Sequence, residues 1–338
     1  MKYKVLIVGY GIASTAYASV LNSKKIKTSV IGSPYDKKII QKLKKDKNDK
    51  INRIKFNSNF NFYYEKEIYK LKKNEFDLII VGTNSKGLDW AIKLLNYLMK
   101  QAPVLLITKG LFKNQNKIIT FSNLFEKKCF NKKIIMASGP CLAKELIYKN
   151  HTRTVFASKN LKNAKIAKKI LETDYYHPDI SSDIKGAEIC SAIKNIYATV
   201  VGSSVPKINL KKNTKASLFN PSSALFEQSL KEMNIIVKNF GGKNETVGGL
   251  SGAGDLYVSI LGGRNSKLGF YLGQGFSYKS IINKQLKGIT VEGADLIILA
   301  GRLILKKISK KKLPLLFSLT NSILSNKRLK IDWKMFTQ

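Results

Sequence analysis

The sequence predicts two domains of different class: an α/β N-terminal domain on a doubly wound, mostly parallel sheet over residues 1–182, then an all-α C-terminal domain over 183–338. Three observations predict this. Through the first domain, short apolar runs rich in β-branched residues alternate with helical stretches, the pattern of a parallel sheet covered by helices. From Asp183 onward the apolar residues recur at helical spacing instead, as in Ile189, Ile193, Ile196, Tyr197 and Val200. The chain of 338 residues, 44% of them apolar, is long enough to fill two cores.

The first strand is YKVLIVG (3–9), an apolar run ended by glycine. KTSVIG (27–32), FDLIIVGT (76–83), APVLLITKG (102–110), KIIMASGP (133–140) and TRTVFAS (152–158) repeat that character and read as further strands. SKGLDWAIKLLNYLMK (85–100) reads as a helix between two of them. In the second domain, helices are expected over 223–239, 266–274, 291–307 and 313–325. VPKINLKKNTKASLFNPSS (205–223) is polar, lysine-rich and carries two prolines, so it reads as a long loop of the kind that serves as a lid or binding loop. No internal repeat is visible.

Composition removes several function classes. The chain has 60 basic and 22 acidic residues, a net charge of +38, but only five arginines: Arg53, Arg153, Arg264, Arg302 and Arg328. The excess is lysine, scattered in KK and KN pairs as on solvated faces. Nucleic-acid surfaces favour arginine and interleaved aromatics, and no zinc-finger, RRM or KH signature is present, so no specific nucleic-acid partner is expected. Weak attraction of polyanions follows from the charge alone. Three cysteines (Cys129, Cys141, Cys190) have no metal-ligand spacing and their odd number suits no disulfide framework, which points to a reducing cytoplasm. Only His151 and His177 occur, so no His-rich metal site is expected, and acid–base work falls to Lys, Asp or Glu. The N-terminus imitates a signal peptide, but Gly-Tyr-Gly breaks its apolar run. No run approaches ~18 apolar residues, so no membrane insertion is expected.

IVGYGIASTAYA (7–18) places Gly9 and Gly11 at a strand end with a helix opening behind them at Ile12 and Ala13. The first glycine allows the tight turn, and the second lets a pyrophosphate approach the helix N-terminus. This is the dinucleotide-binding turn of a Rossmann domain, with Ser14 at the usual third glycine. The second strand ends VIGSPYDKK, with no acid at residues 31–33 to hold the ribose hydroxyls of NAD; Asp36 comes later, followed by Lys37 and Lys38. The cofactor is therefore NADP or NAD, with NADP favoured. Lys194 lies in GAEICSAIKNIYATV (186–200), where its helical neighbours Cys190, Ser191, Tyr197 and Ala198 include no acid and no second lysine. A lysine so placed is desolvated, which suits it to proton transfer; the alternative is a lysine snorkelling from a helix flank.

SGPCLAKE (138–145), DIKGAEICSAIKNIYA (183–198), GLSGAGDL (249–256), GGRNSKLG (262–269) and VEG (291–293), with TKG (108–110) and GYG in the right order, give the chain its family likeness. Over nearly its whole length it resembles the NAD(P)-dependent glycerol-3-phosphate dehydrogenases. The resemblance implies reversible NAD(P)H-dependent reduction of dihydroxyacetone phosphate to sn-glycerol 3-phosphate, supplying glycerophospholipid synthesis. It makes Lys194 the catalytic proton donor. It assigns Lys109, Gly139, Cys141, Asn195, Asp255, Arg264 and Asn265 to the substrate, Arg264 and Asn265 holding its phosphate. It assigns Lys109, Ala143, Arg264 and Glu292 to the cofactor, beside Gly9, Gly11, Ile12 and Ala13. An arginine fork between glycines and a helix start suits a phosphate dianion, which a lysine binds without the fork.

Departures from the family pattern fall at Ala13-Ser14, where Trp-Gly is frequent; at Cys141, a common Ser or Thr; and at Ser259, a common Thr. They also fall at Ser222 and Gln228 in NPSSALFEQSLKEM (220–233), where Lys and Arg are frequent. NTKAS (213–217) offers a competing alignment. Two alternatives follow: a related dehydrogenase of another small phosphorylated ketone or hydroxy acid, and, from a different class, a basic nucleic-acid-binding protein on a Rossmann-like fold. Self-association into a homodimer stays open.

Overall fold

The structure, a computed structural model, describes residues 3–115, 117–204, 208–209, 214–215 and 219–337. It divides into two compact units. One comprises Met1–Lys109 and Thr120–Ala187, the other Gly110–Ile119 and Glu188–Gln338.

The first unit is built on an eight-stranded sheet: β1 Lys4–Val8, β2 Lys27–Ile31, β3 Phe60–Tyr63, β4 Leu78–Val81, β5 Val104–Leu106, β6 Ile134–Ser138, β7 Thr152–Ala157 and β8 Tyr176–Ser181. Their spatial order is β8-β7-β6-β5-β4-β1-β2-β3, and every neighbouring pair is parallel except β6 with β7. The central strands bury both faces, which is why Val5, Leu6, Ile7 and Val8 form an unbroken apolar run without alternation. Helices α1 Ile12–Ser23, α2 Lys37–Asp46, α3 Leu88–Leu98, α4 Phe121–Lys128, α5 Ala143–Ile147 and α6 Leu161–Leu171 connect the strands.

β1 is the switch point, with β2 on one side and β4 on the other. Register pairs Val8 with both Ile31 and Val81, so the residues that follow, Gly9, Gly32 and Gly82, emerge level at the carboxyl edge. Crevices at such an edge are where doubly wound sheets hold ligands.

Two strands of this eight-stranded sheet were not foreseen from the sequence, β3 and β8, and both lie at its edges. β3 reads FNFY, with Asn61 exposed between two buried phenylalanines. β8 reads YHPDIS, and its Pro178 argues against a central strand but is tolerated at an edge, where one ladder bond is dispensable. β5 is shorter than the expected 102–110.

The second unit is helical: α7 Ile184–Gly202, α8 Phe219–Asn239, α9 Asn244–Gly248, α10 Asp255–Leu261, α11 Arg264–Gly273, α12 Tyr278–Asn283, α13 Glu292–Leu296, α14 Arg302–Lys307 and α15 Pro314–Leu324. Two π-helical turns interrupt the run, Leu250–Gly254 before α10 and Ile297–Gly301 between α13 and α14. Its core gathers Ile193, Ile196, Tyr197 and Val200 of α7 with apolar residues of the other helices, and Leu111 of the 110–119 segment joins them.

The expected loop over 205–223 needs correction at its end, because Phe219–Ser223 already belong to α8. Pro221 falls in the first turn of that helix, where a missing N–H costs nothing. Of the rest, Ile208–Asn209 and Thr214–Lys215 pair antiparallel, and the other residues of 205–218 lie outside the described residues. Among the described residues no helix is long and apolar enough to cross a membrane.

Candidate active site

In the sheet unit the site is made by backbone. Gly9 leaves β1 with φ +84°, and a Cβ there would meet Thr83 Cγ2 at 2.9 Å, so both conformation and space require glycine. Gly11 is the N-cap of α1, and the first turn of that helix contains no acidic residue. The positive end of the helix therefore faces outward with no carboxylate of its own first turn to satisfy it. Ile12 is half exposed and Ala13 partly buried at this opening. Ser14, at the third-glycine position, is fully buried, and its Oγ donates to the Gly82 carbonyl at 3.3 Å. Close packing of helix on sheet is thus kept by moving the glycine across to residue 82, where a Cβ would collide with Ser14. Tyr10, between the two glycines, is anchored below by its hydroxyl, which donates to the buried Asp49 at 3.0 Å. A rigid turn, an uncapped helix start and a cradle that a Cβ would fill fit the diphosphate of a dinucleotide.

Along the same edge, Lys109 follows β5 and its Nζ donates to the Gly139 carbonyl at 2.9 Å. Gly139 follows β6 with φ +92°. The Thr108 hydroxyl donates to the Thr83 carbonyl, tying the ends of β4 and β5. Cys141 and Ala143, the latter opening α5, are partly buried against the core of this unit. Thr83 and Thr108 were not singled out in the sequence; their only signal is a threonine closing an apolar strand run in VGT and TKG.

In the helical unit the site is made by side chains. Lys194 Nζ donates to Asp255 Oδ1, and both side chains are buried, 10% and 3% exposed. The π-helical turn Leu250–Gly254 delivers Asp255 to this position at the start of α10. Such turns concentrate at functional sites. Lys194 is thus not isolated among small residues, as its own helix suggests: its partner comes from 61 residues along the chain.

Asn195 and Asn265 form a second link, Asn265 Nδ2 donating to Asn195 Oδ1 at 3.0 Å while Asn265 Oδ1 accepts from the Gly293 amide at 2.8 Å. That contact requires α11 to lie close on α7. It does so through Gly269 and Gly273, where a Cβ would strike the carbonyls of Thr199 and Ser203. Arg264, the first residue of α11, donates to Glu292, the first residue of α13; Arg264 is about half exposed and Glu292 partly buried. No acidic residue lies in the first turn of α11. Ser259 is on the next turn of α10 and its hydroxyl donates to the Asp255 carbonyl at 2.7 Å.

Gln228, one of the departures, is buried on α8 and lies 3.5 Å from Glu232 Oε1. Ser222 is partly buried in the first turn of α8. Glu232 is fully buried and receives the Tyr197 hydroxyl at 3.1 Å and the Leu315 and Leu316 amides at 2.6 and 3.0 Å. Burial pushes its carboxyl up to about 7, the hydrogen bonds offsetting part of that effect. Burial, together with the nearby Glu232, likewise raises the Tyr197 phenol well above its ordinary range. Little in the local sequence marks Glu232, since its hydroxyl and amide donors come from two other helices, α7 and α15.

Comparison with known proteins places both parts of the chain in one family. Residues 4–164 match the family model for the NAD-dependent glycerol-3-phosphate dehydrogenase N-terminus, and residues 183–331 match the one for its C-terminus. The chain is 28% identical over 255 residues to the NADP(+)-dependent glycerol-3-phosphate dehydrogenase of Archaeoglobus fulgidus, covering 75% of this chain and 74% of that one. It is 30% identical over 261 residues to the glycerol-3-phosphate dehydrogenase [NAD(P)+] of Clostridium botulinum, covering 76% and 74%. Among solved structures, glycerol-3-phosphate dehydrogenase from Coxiella burnetii superposes with a TM-score of 0.78 at 25% identity, covering 97% of this chain and 96% of that one. The enzyme from Saccharomyces cerevisiae, at 18% identity and a TM-score of 0.83 over the full length of both chains, shares the fold.

Proposed function

Since the chain belongs to the NAD-dependent glycerol-3-phosphate dehydrogenase family, we propose that it catalyses the reversible NAD(P)H-dependent reduction of dihydroxyacetone phosphate to sn-glycerol 3-phosphate. The observation that carries this reading is the buried Lys194–Asp255 pair, an ammonium held in one place away from bulk water. We assign the nucleotide to residues 1–182 and the substrate to residues 183–338.

When bound, the nicotinamide supplies a hydride to the carbonyl carbon; the remaining tasks fall to the chain. Lys194 Nζ gives a proton to the carbonyl oxygen as negative charge develops there, so the ketone becomes a secondary alcohol and the lysine is left neutral. Asp255 fixes the ammonium, and without that partner the lysine would sample several rotamers. Arg264 and the amides opening α11 take the phosphate dianion. The second Nδ2 hydrogen of Asn265 is available to a substrate oxygen, since the first is held by Asn195. Gly9, Gly11, Ile12 and Ala13 hold the cofactor diphosphate, joined by Ala143, and Arg264 and Glu292, paired with each other, are assigned to the cofactor as well. Lys109, Gly139 and Cys141 complete the set of contacts on the sheet unit.

The product supplies glycerophospholipid synthesis. We place the reaction in the cytoplasm, since three cysteines, an odd number with no disulfide framework in their spacing, suit a reducing compartment. The test is oxidation of NADH or NADPH by dihydroxyacetone phosphate, run beside other phosphorylated ketones. Dihydroxyacetone phosphate should give the highest kcat/KM, and a tenfold better rival would overturn the substrate assignment.

A further inference from the structure

We propose that Asp36 is a specificity-determining residue that selects the dinucleotide lacking a 2′-phosphate. The inference rests on the reading of the Gly9–Gly11 turn as a nucleotide site. It reverses what the sequence suggests, where no acid closes the second strand and two lysines follow.

The chain turns back immediately after β2. Ser33–Asp36 fold into a tight turn that is followed directly by α2, and Asp36 Oδ2 accepts from the Ser33 amide at 2.7 Å and the Ser33 hydroxyl at 2.8 Å. The same oxygen accepts from the Tyr10 amide at 3.1 Å. Tyr10 lies between the two glycines that close β1, so this carboxylate is carried from five residues beyond the strand to the nucleotide turn itself. Gly32 permits the fold-back, because a Cβ there would meet Asp36 Cβ and Ile40 Cδ1, each at 3.1 Å.

Three donors on Oδ2 fix the carboxylate, while Oδ1 accepts from no described residue. A fixed carboxylate oxygen with free lone pairs, at the end of the second strand and beside the glycine turn, is an acceptor for the vicinal hydroxyls of the adenine ribose. It is equally a like charge against a 2′-phosphate, and like charges at close range cannot share a site cheaply. Lys37 and Lys38 do not cancel this. Both are exposed at the start of α2, on flexible stems in water, whereas the carboxylate is partly buried and held at one spot.

The test is direct binding of NADH and of NADPH, followed by nicotinamide fluorescence without substrate. It uses the wild-type protein, Asp36→Asn and the double variant Lys37→Ala/Lys38→Ala. NADH should bind the wild type at least about tenfold more tightly than NADPH. Asp36→Asn should bring the two affinities within about threefold of each other, mainly by improving NADPH, and the lysine variant should keep the wild-type ratio. Wild-type binding of NADPH as tight as that of NADH, or an unchanged ratio in Asp36→Asn, overturns the assignment. Should Asp36→Asn melt at a markedly lower temperature, Asp36→Ser, which keeps a short acceptor without the charge, takes its place with the same expectation. Failure of both nucleotides to bind wild-type protein would instead remove the nucleotide site itself, and this assignment with it.

Discussion

The two units hold their candidate site residues by opposite means. In the sheet unit the turn after β1 works through backbone: a left-handed Gly9, the uncapped start of α1 and a cradle against Thr83. In the helical unit the work is done by side-chain pairs brought together from distant segments, Lys194 with Asp255, Asn195 with Asn265 and Arg264 with Glu292. Adding one methyl group threatens the first kind of site, and shortening one side chain threatens the second. The contrast can be broken by experiment, because each kind of change should leave the other unit's task nearly intact.

The largest effect is expected at Lys194. Lys194→Ala should lower kcat by about 10²–10⁴, the usual contribution of a general acid, while nucleotide affinity stays within about threefold. Removing one member of a buried pair also takes away the cation facing Asp255, so the helical unit should lose up to about 3–5 kcal/mol of stability. A variant that keeps more than half of wild-type kcat would take the proton away from Lys194.

Next comes Arg264. Arg264→Lys keeps the charge but loses the planar fork, which should cost about 1.5–3 kcal/mol, or roughly 10- to 150-fold in kcat/KM for dihydroxyacetone phosphate. Unphosphorylated dihydroxyacetone should react equally poorly with both proteins. An unchanged ratio between the two substrates would mean that Arg264 does not read the phosphate. It would then serve only its ion pair with Glu292.

This division also governs what the sequence could tell. Gly9 and Gly11 were legible because a backbone-made site leaves a local signature, two glycines at fixed spacing after an apolar run. The central strands were legible for a similar reason, since burial on both faces leaves continuous apolar runs such as VLIV. Edge strands carry no such mark: β3 alternates with asparagine and β8 contains Pro178. The side-chain pairs were beyond local reading. The helical neighbours of Lys194 show no acid, because helix periodicity says nothing about what packs against the helix from residue 255. The clamp on Asp36 was invisible for the same reason, and its distance from the strand end argued against it until the turn was seen to fold back. Gln228 and Ser222 stood out only by resemblance, and the buried carboxylate next to Gln228 explains why that position faces inward.

The backbone-made site is sharpened by Gly9→Ala. Holding alanine at φ +84° and pressing its Cβ toward Thr83 should cost about 1–3 kcal/mol, read as a lower melting temperature, and nucleotide affinity should fall about tenfold. The rate with saturating nucleotide should change little, since no proton-handling group moves. A tenfold fall in kcat at saturating nucleotide would show that the turn and the proton donor are not separable in this way.

The smallest effect concerns stability in the helical unit, at Glu232. Its carboxyl titrates near 7 in the folded protein and near the ordinary 4.5 when unfolded, because burial disfavours the charged form. Between those values the folded chain keeps a proton that the unfolded chain has lost. The stabilising contribution is therefore complete below about 4.5 and is lost as pH rises through about 7. At its steepest the melting temperature should fall by about 2–4 °C per pH unit on this account. Other groups titrate in the same range, so the useful quantity is the difference between wild type and Glu232→Gln. The amide places an N–H₂ among the amides of Leu315 and Leu316, so the variant should be less stable at every pH by about 1–3 kcal/mol. It should nonetheless lack this part of the slope, and the gap between the two melting curves should narrow from pH 5 to pH 8. A gap that stays constant across that range would mean that Glu232 keeps one protonation state throughout, with the four donors around it outweighing its burial.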